Sequence, residues 1–232
     1  MLRDALKSAD YFERYLGYQE ARIQKFTQGL NNLPDHAEMQ RKQCSTYLAN
    51  FYKDKLSAMY SFGSTKTELL STFNFYIKYI KGASSINYAD LSDILAMMIL
   101  FKNVDVSDTK FVLSVTGFDD PFIVLLKQEL FPGRTIKLRT NELLYPEQYQ
   151  EFLSIIEEDD SAQATVQLLD YVNHRWYANC QDMPWFESHK SSENTYCGYW
   201  CWIAAAIAKM KHLDIAFIRT CKYIPWELLK EK

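Results

Sequence analysis

Glycine and proline are scarce in this sequence, at 7 and 6 of 232 residues. A many-stranded β protein needs both at its turns, so that class is excluded. No apolar run approaches the ~18 residues that suggest a membrane span. The longest lies in Tyr196–Lys209, Y-C-G-Y-W-C-W-I-A-A-A-I-A-K. Met1–Asp10 is charged from the start and lacks the apolar core of a signal peptide, so residence in the cytoplasm is expected. A net charge of −3 offers no overall basicity for holding nucleic acid. H-E-x-x-H, G-x-x-x-x-G-K-[ST] and G-x-G-x-x-G are missing, and Gly63-Ser64-Thr65-Lys66-Thr67 lacks the order of a phosphate loop. Cysteine is odd in number and scattered, at positions 44, 180, 197, 201 and 221, which suits reduced core thiols.

What the chain has is apolar and aromatic mass, at 48% and 15%. That is enough to bury a sizeable core in one large domain or two small ones. Apolar spacing of three or four predicts a long helix over Leu2–Leu30 and a second one opened by Asp35, with Met39, Tyr47, Leu48, Phe51, Leu56 and Met59 in its stripe. Thr65 and Glu68 have capping-box spacing, and Lys81-Gly82 closes that third helix with a left-handed glycine. Tyr88–Lys102 is apolar on nearly every face and reads as the core of the N-terminal half. Ser107, Asp120-Pro121, Tyr145-Pro146 and Ser161 open further helices, and Asn179–Thr195 reads as a long loop. Trp200–Met210 is expected to form a helix in the middle of a domain, because alanines let neighbouring helices approach and the rings fill the space beside them. The sum is an all-α fold of about ten helices. Long N-terminal helices (1–105) pack with a C-terminal helical unit (106–232) as one compact body.

Three constellations carry chemistry. Cys197 with His189 has the residue types of a cysteine hydrolase, but a nucleophilic thiol needs a depressed pKa, and Cys197 adjoins Tyr196, Tyr199 and Trp200 as a structural cysteine would. His174, His189, Cys180, Cys197 and Cys201 could supply zinc ligands, yet only Cys197 and Cys201 have pair-like spacing, one helical turn apart. A structural role is preferred for both sets, so no catalytic residue, metal or cofactor is assigned. The third is charge. Eight of the 29 acidic residues fall in Thr140–His174 with none of the 26 basic ones, so this window carries −8 and the rest of the chain +5. They are Glu142, Glu147, Glu151, Glu157, Glu158, Asp159, Asp160 and Asp170. Part of the Glu157–Asp160 cluster would favour the start of the next helix. The whole suits a surface that meets a cationic partner.

The order of short motifs adds a further reading. Trp176-Tyr177, His189-x-Ser191, then Tyr196-x-Gly198-Tyr199-Trp200 with Ala204-Ala205-Ala206 and Lys209, then Leu213-Asp214 and Tyr223-x-Pro225 resemble the C-terminal part of the PoNi-like immunity proteins. Tyr60-Ser61-Phe62-Gly63, and Tyr88–Leu100 before Val104-Asp105, resemble N-terminal elements of the same family. One departure stands out: Ile203 lies where the family often has Glu, so no role attached to that Glu is carried over. The resemblance implies a non-enzymatic helical inhibitor in the cytoplasm of the producing cell. It would protect that cell from a secreted antibacterial DNase of the PoNe type, associated with type VI secretion, and would have no direct contact with nucleic acid or membrane. The acidic window then marks Glu142, Glu147, Glu151, Glu157, Glu158, Asp159 and Asp160 as toxin-facing, since a nuclease carries a basic groove for DNA. Tyr60, Gly63, Trp176, His189, Tyr196, Gly198, Tyr199, Trp200 and Pro225 are read as structural. The rival readings are a Cys197/His189 or zinc hydrolase, and a helical adaptor for another basic protein.

Overall fold

The computed structural model describes residues 1–102 and 105–230, so Val104 of the Val-Asp pair lies outside the described residues. Among them are ten α-helices and no strand, and the fold is all-α. Two compact units result. The first comprises Met1–Asn87 with Glu187–Tyr199, the second Tyr88–Phe186 with the chain from Trp200 onward.

The first unit is built on α1 (Ala9–Asn32), α2 (Glu38–Phe62) and α3 (Lys66–Lys81), each packed on the next. The apolar spacing that begins at Leu2 does not start α1 there. Ser8 takes the N-cap, its hydroxyl accepting from Tyr11 N–H at 3.3 Å. The residues before it are held instead by Arg3, whose guanidinium donates to the carbonyls of Tyr60 and Ser64 and lies over the Tyr60 ring. Ala37, not Asp35, precedes α2, with no side-chain cap. The buried face of α2 runs through Leu48, Phe51, Leu56 and Tyr60, whereas Met39 in its first turn is exposed and Tyr47 partly so.

Gly63 ends α2 in the left-handed conformation, φ +104°. A Cβ there would also fall 2.1 Å from the carbonyl oxygen of Met1, so the position needs glycine on two counts. The Thr65/Glu68 capping box forms as the spacing predicts. Gly82 differs from expectation: it is right-handed, φ −91°, and its lack of a side chain serves close approach to Ser45 of α2.

A strap, Glu187–Tyr199, completes this unit. The Tyr11 hydroxyl donates to the Tyr196 carbonyl and accepts from its N–H, at 2.8 and 3.1 Å. The Tyr196 hydroxyl donates to Asp4, and Ser61 donates to the Cys197 carbonyl. Tyr196 is 1% exposed, so the strap's main ring is core.

The second unit contains α4 (Tyr88–Phe101), α5 (Val106–Ser114), α6 (Pro121–Leu130), α7 (Pro146–Glu157), α8 (Ser161–Tyr171), α9 (Trp202–Met210) and α10 (Ile215–Ile218). Twelve of the 14 residues of α4 are buried, and it packs on α9 and α6. It is therefore the core of this unit and not of the N-terminal half. The reason is steric: Ala204, Ala205 and Ala206 of α9, each wholly buried, give a helix apolar all round the close neighbour it needs. Lys209 then donates to the carbonyls of Ile99 and Leu100, both at 2.8 Å, satisfying acceptors that the last turn of α4 leaves open.

The α9 helix begins two residues later than the apolar pattern suggests. The Cys201 N–H donates to the Tyr223 carbonyl, which keeps Trp200 and Cys201 out of the helix. Two caps also sit one or two residues earlier than expected: Asp105 rather than Ser107 caps α5, and Asp160 rather than Ser161 caps α8. Asp120 and Pro121 open α6 as predicted. A π turn, Val172–Trp176, follows α8, and short 3-10 turns, Ala178–Cys180 and Ser188–Lys190, fall at the start of and within Asn179–Thr195.

Candidate functional site

The acidic window lies wholly in the second unit, on the α7–α8 hairpin and the loop before it, and its position is set from a buried polar hub. Asp120 is 0% exposed. One of its carboxylate oxygens caps α6 at the Ile123 N–H, while the other accepts from the Tyr88 hydroxyl at 2.8 Å and the Leu144 N–H at 3.0 Å. The Tyr88 ring meets Tyr145 and Tyr149 at 4.9 and 4.7 Å. Burial and the Asp120 charge push the Tyr88 hydroxyl far above its ordinary pKa, so it stays a donor. The start of α7 is thus pinned by hydrogen bonds and rings together.

The eight acids divide into two groups. Arg175, the first base after the window, donates to Glu151 at 2.5 Å and Asp170 at 3.0 Å, bridging α7 and α8. Asp160 accepts from the N–H groups of Ala162 and Gln163. Glu158 accepts from Asp160 N–H and the Gln167 amide, while Lys211 donates to the carbonyls of Ile156 and Glu158, a cation at the C-terminus of α7. These four acids have internal work. Glu142, Glu147, Glu157 and Asp159 are exposed, and their carboxylates have no partner among the described residues. Leu144 and Tyr145, just before α7, and Val166 on α8 are exposed as well, at 42, 46 and 61%. Free carboxylates among wet apolar side chains can attract a cationic surface and then gain by shedding water.

The cysteine and histidine candidates are dispersed into other duties. His189 gives its Nδ1 to a 2.8 Å hydrogen bond with the Tyr199 hydroxyl, which also accepts the His189 N–H. The Cys197 thiol is pushed up by burial, with Asp54 adding to the effect. That is opposite to what activates a nucleophile. Burial drives Cys180 up to about 12, and raises Cys201 and Cys221 as well. Cys197 and Cys201 share no helical face, since the chain is non-helical from Tyr196 to Cys201. No three His, Cys, Asp or Glu side chains gather as a metal would require, among the described residues. Native protein at pH 8 should therefore react slowly with a thiol reagent at all 5 cysteines, and rapidly only once denatured. A fast-reacting Cys197 would reopen the hydrolase reading.

The other sequence-marked positions fall in cores and turns. Tyr60, Trp176, Tyr199 and Pro225 are buried, and Gly198 is left-handed at φ +112°. Trp200 is only half-buried; the ring in the core is Trp202. Trp176 packs with Trp185 and Tyr223 at 5.9 and 5.3 Å, so the Trp-Tyr and Tyr-x-Pro motifs meet.

Residues 123–228 match the family model of PoNe immunity proteins (PoNi), C-terminal. The match covers 106 of the 232 residues and makes this C-terminal region PoNi-like. The acidic hairpin and α9 both lie inside the PoNi-like region. No curated protein matches the chain. Among solved structures, protein PA2201 from Pseudomonas aeruginosa is similar in fold, with a TM-score of 0.69 over 98% of this chain and 89% of that one. Its 17% identity makes that a likeness of fold alone. Within the PoNi-like region Ile203, 7% exposed, belongs to the buried face of α9.

Proposed function

We propose that this PoNi-like protein is a non-enzymatic immunity protein that neutralises one secreted antibacterial DNase, acting in the cytoplasm of the producing cell. The α7–α8 face meets the basic groove of the toxin or its rim. The observation that carries this reading is the set of four unpartnered carboxylates, Glu142, Glu147, Glu157 and Asp159, among exposed apolar side chains in a PoNi-like region. Glu151, Glu158 and Asp160 contribute to the same field, but each also holds the hairpin together.

Reversing the four free acids to Lys should slow association with the toxin by about 10–10³-fold, the range electrostatic steering supplies, and should abolish most of the salt dependence. The melting temperature should change little: none of the four carboxylates has a partner to lose, and Glu147 in the first turn of α7 contributes about 0.3–1 kcal/mol through the helix dipole. Asp160 is left in place, since losing a cap costs about 0.5–2 kcal/mol and would confuse the outcome. Unaltered kinetics in the quadruple variant would remove this face from the interface. Tight binding to a basic protein without inhibition of any nuclease would favour the adaptor reading.

A further inference from the structure

A groove of about 690 Å³ opens between the end of α5 and the loop that joins α6 to α7. Arg134, Lys137 and Arg139 all line it. Arg134 and Lys137 are exposed, and their side chains have no partner among the described residues. A merely solvated face would splay such charges apart; here they border one concavity, and their mutual repulsion has no internal counter-charge. Asp119 also lines the groove, but it is 3% exposed and its carboxylate is taken by Lys127 at 2.6 Å. The floor therefore does not cancel the three cations.

The loop is tied down. The Arg139 N–H donates to the Asp119 carbonyl at 2.7 Å and its guanidinium to the Gly117 carbonyl at 2.9 Å. The Arg134 N–H donates to the Phe131 carbonyl at 3.1 Å. Thr116 and Thr135 add neutral hydroxyl donors, while Leu113 and Ile136 supply apolar wall. Planar guanidinium groups suit phosphate oxygens in two-pronged contact, and the volume is that of a small-molecule site.

We infer that this groove is a site for a compact phosphorylated small molecule of the nucleotide class, its phosphates on Arg134, Lys137 and Arg139 and its apolar part against Leu113 and Ile136. The site is independent of the toxin-facing surface and would stand if that surface were reassigned.

Calorimetric titration of the full chain at low salt, with pyrophosphate and with ADP as probes, tests it. One equivalent of each should bind, ADP the more tightly. Arg134→Gln with Lys137→Gln should weaken both by about tenfold or more, as loss of charge-assisted hydrogen bonds predicts. Both side chains are exposed, so an unchanged melting temperature will show that the variant is folded. Absence of binding by either probe, or binding that the double variant leaves intact, would overturn the site. Equal affinity for the two probes would overturn the role given to Leu113 and Ile136.

Discussion

Replacing Lys127 with Met is expected to destabilise the second unit by about 3–5 kcal/mol, the cost of stranding a buried charge. The Lys127 ammonium is wholly buried and donates to Asp119 at 2.6 Å and to the Val115 carbonyl at 2.8 Å. Methionine nearly preserves the volume, so packing is retained while the Asp119 carboxylate loses its counter-charge at 3% exposure. Removing both charges, Lys127→Met with Asp119→Leu, should recover most of the loss, because a buried pair replaced by apolar groups is close to neutral. Urea unfolding followed by hydrogen exchange in α6 reads both variants. A single variant as stable as the parent, or a double variant worse than the single, would refute the assignment of this pair. The same experiment bears on the phosphate groove, since Lys127 is what keeps Asp119 from opposing an anion there.

Trp202→Ala should cost a similar about 3–5 kcal/mol, the range for deleting a buried aromatic side chain. Trp202 is 4% exposed in the first turn of α9. Trp200→Ala, by contrast, removes a half-buried ring outside that helix and should cost about 1 kcal/mol, as an average substitution does. The motif reading alone would reverse this order, since Trp200 is the Trp of Gly-Tyr-Trp. Thermal unfolding of the two variants side by side decides it. Equal losses would mean that α9 starts earlier than the Cys201 N–H bond to Tyr223 allows.

Local rules placed several elements, although they put the α5 and α8 caps at Ser107 and Ser161 rather than at the nearby Asp105 and Asp160. Thr65 with Glu68 and Asp120 with Pro121 each act within four residues, and the all-α class follows from such signals. They failed where a distant partner decides. Ser8 begins α1 against an apolar spacing that runs on from Leu2, because Arg3 is committed to carbonyls at the end of α2. The apolar α4 belongs with α9, more than a hundred residues later, and only the alanines hinted at it. At the candidate site, composition located the acidic hairpin but could not sort its members. The cations that occupy Glu151 and lie at Glu158 are Arg175 and Lys211, both beyond the window. The Arg134–Arg139 cluster carries no such signal, since nothing in its sequence shows that it closes a groove with α5.

The strap has a consequence for how the chain is made. The first unit is discontinuous: α1, α2 and α3 leave the ribosome first, but Glu187–Tyr199 emerges only after the 99 residues of Tyr88–Phe186. At ~5–20 residues per second that interval is about 5–20 s. The early helices pair locally and need not wait. Tyr11, Asp4 and Ser61 must, because their partners in the strap lie 185, 192 and 136 positions downstream. For those seconds the nascent protein presents to chaperones and proteases an aromatic face, centred on Tyr11 and Phe12, that the finished one hides beneath Tyr196.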